Sequence, residues 1–166
     1  MKQGHEDGLC GIYSLLNFFQ NEHLFTDLAG KSQFWIICEV AERLGLLKAD
    51  HIANGYAAYQ LKEIFDAVCS KLCLPYRSEL VREVDRHLEE NQGAAFKKIV
   101  DQGGALIFMP EDGHWALLHG YDESGFHIDN SGRKRQTSRM PECGYEDMPS
   151  EAGVVLISET PKVVFQ

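Results

Sequence analysis

Basic charge is scarce in this chain: 16 Lys and Arg stand against 25 Asp and Glu, a formal net charge of −9. A surface that binds nucleic acid needs clustered cations to displace counterions from phosphates. Only "GRKR", Gly132 to Arg135, is locally basic, and so short a run suits a solvated turn or strand end. No nucleic-acid partner is expected. Long apolar runs are missing as well. None approaches the ~20 residues that span a bilayer, and the opening "MKQGHEDG" is too polar for a secretory signal. The expectation is a cytoplasmic protein with no membrane partner. Cysteine is neither dense nor even in number, with five in the chain, which excludes a disulfide scaffold. Cys69 and Cys73 could share a helix face, but no second pair completes a zinc site. Most of the thiols are expected to be reduced and to pack as small core hydrophobes. Repeats, low-complexity tracts and long linkers are also absent.

What is present is the composition of a globular domain, 44% hydrophobic and 25% charged over 166 residues, enough chain to bury a core. Helical signals fill the first two-thirds. Ile12, Leu15, Leu16 and Phe19 recur at helical spacing directly after Cys10, with Asp7 in the position of an N-cap. A second helix is expected over "SQFWIICEVAERLG", capped by Ser32 and stopped by Gly45, with Trp35, Cys38, Ala41 and Glu42 on one side. A third covers "AAYQLKEIFDAVCSKL", with Leu61, Ile64, Phe65 and Val68 as its core stripe. One or two more lie in "SELVREVDRHLEENQGAAFKKIVDQGG", ending at Gly103 and Gly104. Four apolar runs follow, "GALIFM", "HWALLHGY", "FHID" and "GVVLIS", each suited to a strand. Helices first and strands afterwards give an α+β domain of two lobes, residues 1–166 in all. The helical lobe covers about 1–103 and the β lobe about 104–166.

Two residues carry candidate chemistry. Cys10 falls in the first turn of a helix, where unpaired N–H groups and the helix dipole favour a thiolate. Asp7 opposes this in part. A nucleophilic cysteine also needs a base, usually histidine, oriented by a third group. Of the seven histidines, His5, His23, His51 and His87 have polar or helical surroundings and no special setting. His114 follows "PEDG" and opens the run Trp115, Ala116, Leu117, Leu118, so its backbone is fixed while its ring is able to face a cleft. His119 lies on the opposite face by strand alternation.

The orienting group is expected in "HIDNSG", from Asp129 or Asn130. Hairpin parity bears on the choice. A three-residue loop, a type I turn followed by Gly125, puts Asn130 on the side of His114, whereas a two- or four-residue loop selects Asp129. Bulges can reverse either outcome. Asn130 ranks modestly ahead, and both remain open.

A glutamine, then Cys-Gly opening a helix, then the distant "HWALLHGYDESGFHIDNSG", resembles the papain-like cysteine peptidases. The general look is that of the compact bacterial double-glycine leader peptidase domains. The resemblance implies a papain-like two-lobed fold, with the Cys helix in one lobe and His on an antiparallel sheet in the other. It implies Cys10 as nucleophile and His114 as general base and acid. Asn130, sixteen residues beyond His114, stands at papain's own separation; other relatives place Asp third, as Asp129 would. It also implicates Gln3, with the Cys10 N–H, in the oxyanion hole. Gln3 is seven residues before Cys10, where six is usual. The implied substrate is a peptide or protein, and no metal or organic cofactor is called for. Trp35, Tyr56, Tyr59 and Glu111 are candidates for lining the substrate pocket, with core packing an equal explanation for the aromatics. Two rival readings use the same residues: a CHAP-like cell-wall amidase, and a peptide-binding module that does not cut.

Overall fold

The computed structural model describes residues 8–24, 30–81, 92–108, 114–123, 125–130 and 153–159. In chain order the elements are α1 (Cys10–Asn21), α2 (Gly30–Arg43), α3 (Ala49–Asn54), α4 (Ala58–Leu72), β1 (Tyr76–Leu80), α5 (Gln92–Asp101), β2 (Ala105–Phe108), β3 (Ala116–Asp122), β4 (Gly125–Asn130) and β5 (Gly153–Ser158). The class is α+β, with mixed helices and one antiparallel sheet of order β1-β5-β2-β3-β4.

The helix after Cys10, those over α2 and α4 and the four expected strands form, with instructive differences. Of the segment 78–104, α5 is the described helix, and residues 82–91 lie outside the described residues. α2 begins at Gly30, so Ser32 lies inside it and is not its cap. At its other end Gly45 N–H reaches Glu42 O at 2.9 Å and Leu46 N–H reaches Ala41 O at 2.7 Å, the paired bonds of a Schellman stop. The buried side of α2 carries Gln33, Ile37, Cys38, Val40 and Ala41, whereas Trp35 is 65% exposed. Of the four residues expected on one side, Cys38 and Ala41 are buried while Trp35 and Glu42 are exposed. α4 buries Leu61, Ile64, Phe65 and Val68 as expected, together with Ala58 and Cys69.

The fifth strand, β1, is the larger surprise, because it precedes α5 and breaks the helices-then-strands order. Its sequence, Tyr-Arg-Ser-Glu-Leu, has no apolar alternation to announce it. Pairing and one polar anchor hold it instead. It runs antiparallel to β5 from Tyr76↔Ser158 to Leu80↔Val154. The Asp66 carboxylate of α4 accepts from Ser78 N–H at 3.0 Å and from Ser78 Oγ–H at 2.7 Å. The sheet therefore recruits a segment from the stretch read as helical lobe.

Alternation along the strands sends Ala105, Ile107, Trp115, Leu117, Val154 and Leu156 into one apolar cluster with α1, α2 and α4. Leu106, Phe108, Ala116, Leu118, Phe126, Ile128 and Val155 form a second cluster, against Ile99 and Val100 of α5. Helices thus cover both faces, and the larger core is shared between three helices and the sheet.

Candidate active site

The first helix opens on the cysteine. Cys10 is the first residue of α1, and Leu9, not Asp7, occupies the N-cap, with no side-chain cap bond; Asp7 itself lies outside the described residues. The ladder's first bond joins Tyr13 N–H to Leu9 O at 3.0 Å, so the amides before Tyr13 are directed out of the helix end. That end of the helix favours negative charge. Cys10 is 5% exposed.

Two glycines make this placement possible. A side chain at Gly8 would put Cβ 2.5 Å from the Gly55 nitrogen and 2.8 Å from the Ile52 oxygen. Such a contact is with backbone on both sides, so only glycine fits. Gly8 N–H donates to Ile52 O, which fixes the chain just before Cys10 against the end of α3. At Gly11 a Cβ would lie 2.5 Å from a methyl carbon of Leu61, a side chain with no solvent exposure. The first turn of α1 therefore rests directly on α4.

The other described cysteines have different settings. Burial pushes the Cys38 thiol up to about 11. It pushes Cys69 up to about 12, helped by the nearby Asp66 and Glu159 carboxylates. Both are held as thiols inside helices. Cys73 is exposed, in a left-handed conformation just past α4. Of the four, Cys10 alone is at the start of a helix.

β3 arrives at the same end of the molecule. His114 is exposed, and Trp115, at 1% exposure, enters the cluster that includes Cys10. The indole N–H of Trp115 donates to Tyr56 O at 2.9 Å, at the start of α4. Ala116 then begins the regular pairing, opposite Phe108 on one side and Asn130 on the other. His114 thus stands at the open end of the sheet, one residue before a buried anchor.

The register settles how the two candidates for the third position are distributed. Asp122 pairs with Gly125, so the hairpin loop has two residues and not three. By loop length alone that would align Asp129 with His114. A bulge between Leu118 and Gly120 shifts the register by one, giving Leu118↔Ile128, Leu117↔Asp129 and Ala116↔Asn130. Positions 116, 128 and 130 consequently fall on one side of the alternation, the side of the cluster packed on α5, while His114 lies before β3 and outside its regular alternation. Position 130 is directly across from the residue two places after His114. The two-residue loop differs from the odd loop expected with Asn130, and the bulge sets the register of position 130 in its place.

Asp129 is engaged elsewhere. Its carboxylate accepts from Asn21 Nδ2–H at 3.0 Å and lies 3.4 Å from His119 Nε2. Asn21 is the last residue of the 12-residue α1, about 16 Å from Cys10 along the axis. Burial lowers the pKa of His119, as does His127 to a smaller extent, while Asp129 and Glu22 raise it. Sequence reasoning missed this pairing, since nothing in the local pattern relates Asn21 to residue 129.

Gln3 and Glu111 lie outside the described residues. Tyr59 and Trp35 are exposed, at 61% and 65%, while Tyr56 is buried, so these aromatics do not share one setting. The Tyr56 ring stacks on His51 with centroids 5.4 Å apart. Among the described residues no group of three or more His, Cys, Asp or Glu could hold a metal ion, and no helix is long and apolar enough to cross a membrane. No protein-family model matches the sequence, and no curated protein or solved structure shows a significant match to it.

Proposed function

We propose that the chain is a papain-like cysteine peptidase, a thiol hydrolase that cuts a peptide or isopeptide bond in a peptide or protein substrate. The observation that carries this reading is the position of Cys10 as the first residue of α1, in one cluster with the Trp115 that follows His114. A helix that opens on the thiol, packed on an antiparallel sheet whose strand begins two residues after a histidine, supports this reading, because the chemistry needs a thiol and a base within reach of each other. Asn130, paired opposite Ala116, is the preferred orienting residue, because Asp129 is bound to His119 and Asn21 at the other end of α1.

In the proposed cycle His114 takes the proton of Cys10, leaving a thiolate beside an imidazolium. The thiolate attacks the substrate carbonyl carbon, and the electron pair moves to the carbonyl oxygen. The Cys10 backbone N–H, with Gln3 as a further donor, stabilises that developing oxyanion. Collapse breaks the C–N bond, and the amine departs with the proton from His114. Water, deprotonated by His114, then attacks the thioester, releasing the acid and restoring the thiol. The chemistry requires no cofactor.

A proteome-derived peptide mixture, incubated with the wild-type chain and with Cys10→Ala, tests this directly. New peptide termini are expected with the wild type and none with the variant. Equal cleavage by both proteins would sink the reading. Digestion of purified peptidoglycan in place of peptides would favour the cell-wall amidase.

A further inference from the structure

We propose that the corner between α3 and α4, residues 52–56, is a positioning element that sets Cys10 and His114 at their working separation, with Gly8 and Trp115 as its two contacts. This inference rests on the peptidase reading. Each half of the site is tied to the corner by one backbone carbonyl. On the thiol side Gly8 N–H donates to Ile52 O, two residues before α1 begins. On the imidazole side the Trp115 indole N–H donates to Tyr56 O at 2.9 Å, one residue after His114. The two carbonyls lie within a five-residue segment, so a shift of either contact changes the distance between thiol and ring.

The corner is itself braced. Gly55 turns the chain at φ 83°, and its N–H returns to His51 O at 2.9 Å. The Tyr56 ring lies on the His51 ring at an interplanar angle of 14°. His51 Nε2 is 2.9 Å from the Gln60 amide nitrogen, and Gln60 Oε1 accepts Ala57 N–H at 2.8 Å. Core packing does not account for α3, since none of its six residues is buried. Its inward contributions are the Ile52 carbonyl and the half-buried His51 ring.

A merely structural Trp115 would lower stability when altered and leave the thiol's behaviour unchanged. A positioning Trp115 governs whether the imidazolium stabilises the thiolate. The test is the rate of iodoacetamide alkylation of Cys10 against pH, mapped by mass spectrometry on the full chain, with exposed Cys73 as internal reference. Trp115→Phe removes the donor and keeps an aromatic ring, and Phe65→Leu, in the core of α4, serves as the control for lost stability. The wild type is expected to alkylate at Cys10 in preference to Cys73 at pH 6, where an ordinary thiol is less than about 1% thiolate. Trp115→Phe is expected to lower that Cys10 rate about tenfold, the equivalent of one pKa unit, with Phe65→Leu unchanged. Gly8→Ala, acting from the other side of the corner, is expected to do the same, and it carries the test if Trp115→Phe does not fold. A wild-type profile retained in both corner variants overturns the positioning role. No wild-type preference for Cys10 overturns the peptidase reading, and this inference with it.

Discussion

The two ends of α1 differ in what they meet on the sheet, and under the proposed function only one of them supports covalent catalysis. At the start, Cys10 opens the helix beside the anchor that follows His114. At the finish, Asn21 binds Asp129, which lies against His119. The second group is by composition the more complete acid–base pair, with a carboxylate 3.4 Å from the imidazole. Asn21, Asp129 and His119 include no thiol, and they sit where the helix dipole disfavours negative charge. Under the proposed function the difference teaches that a histidine–aspartate contact needs a nucleophile beside it to act in covalent catalysis. What distinguishes the first end is a thiol where the backbone favours its anion.

The comparison breaks first, and most severely, at the thiol. Cys10→Ala is expected to reduce peptide hydrolysis by a factor of about 10⁴ or more, since nucleophile and base act as a unit. Its melting temperature should change little, because one small side chain is lost. His114→Ala should lose activity on the same scale, and its exposed position leaves the fold intact. Thermal melts beside peptide assays check both.

The third position gives a smaller and sharper contrast. Asn130→Ala is expected to lower kcat about 10²-fold, the effect of a misplaced base, while Asp129→Ala should leave kcat within about twofold. Reversal of that order, measured on any cleaved peptide, would move the third role to Asp129 and remove the distinction between the two ends.

Packing at the thiol end comes next. Gly11→Ala drives a methyl group into Leu61, and overpacking of this kind costs about 1–3 kcal/mol. Urea unfolding should show a lower midpoint with an unchanged slope.

The smallest effect belongs to the far end. The fold lowers the His119 pKa from its ordinary 6.5, chiefly by burial. As pH falls, the unfolded chain therefore takes up this proton before the folded one does. The stability held by the neutral ring is fully present above about 6.5 and is lost as pH falls from there to the lower folded value. Asp129→Ala removes a charge that raises the His119 pKa, so it should deepen this acid loss. His119→Leu should flatten it. Melting temperatures between pH 7 and pH 5 distinguish the two.

Much of the fold was legible wherever burial imposes a period. The core stripe of α4 and the four apolar strands follow directly from spacing, because one face of each must be apolar. β1 was not legible, since Ser78 is held by Asp66 and by strand pairing, which involve residues distant in sequence. The exposure of Trp35 was not legible, because helical spacing alone cannot tell which margin of an apolar face meets solvent. At the candidate site, Cys10 at a helix start could be read from the apolar run behind it. The bulge near His119 could not, and it is what pairs Asn130, not Asp129, with Ala116. Gly8 and Gly55 were visible as glycines, but only their mutual approach explains them.

The most direct measurement is the ultraviolet absorbance of thiolate against pH, taken as the difference between the wild type and Cys10→Ala, then repeated in a His114→Ala background. The expected result is a Cys10 thiolate already present at pH 6 in the wild type and absent there once His114 is removed. A Cys10 that ionises only near the ordinary thiol pKa of about 8.5, whether or not His114 is present, would contradict the assignment of the pair.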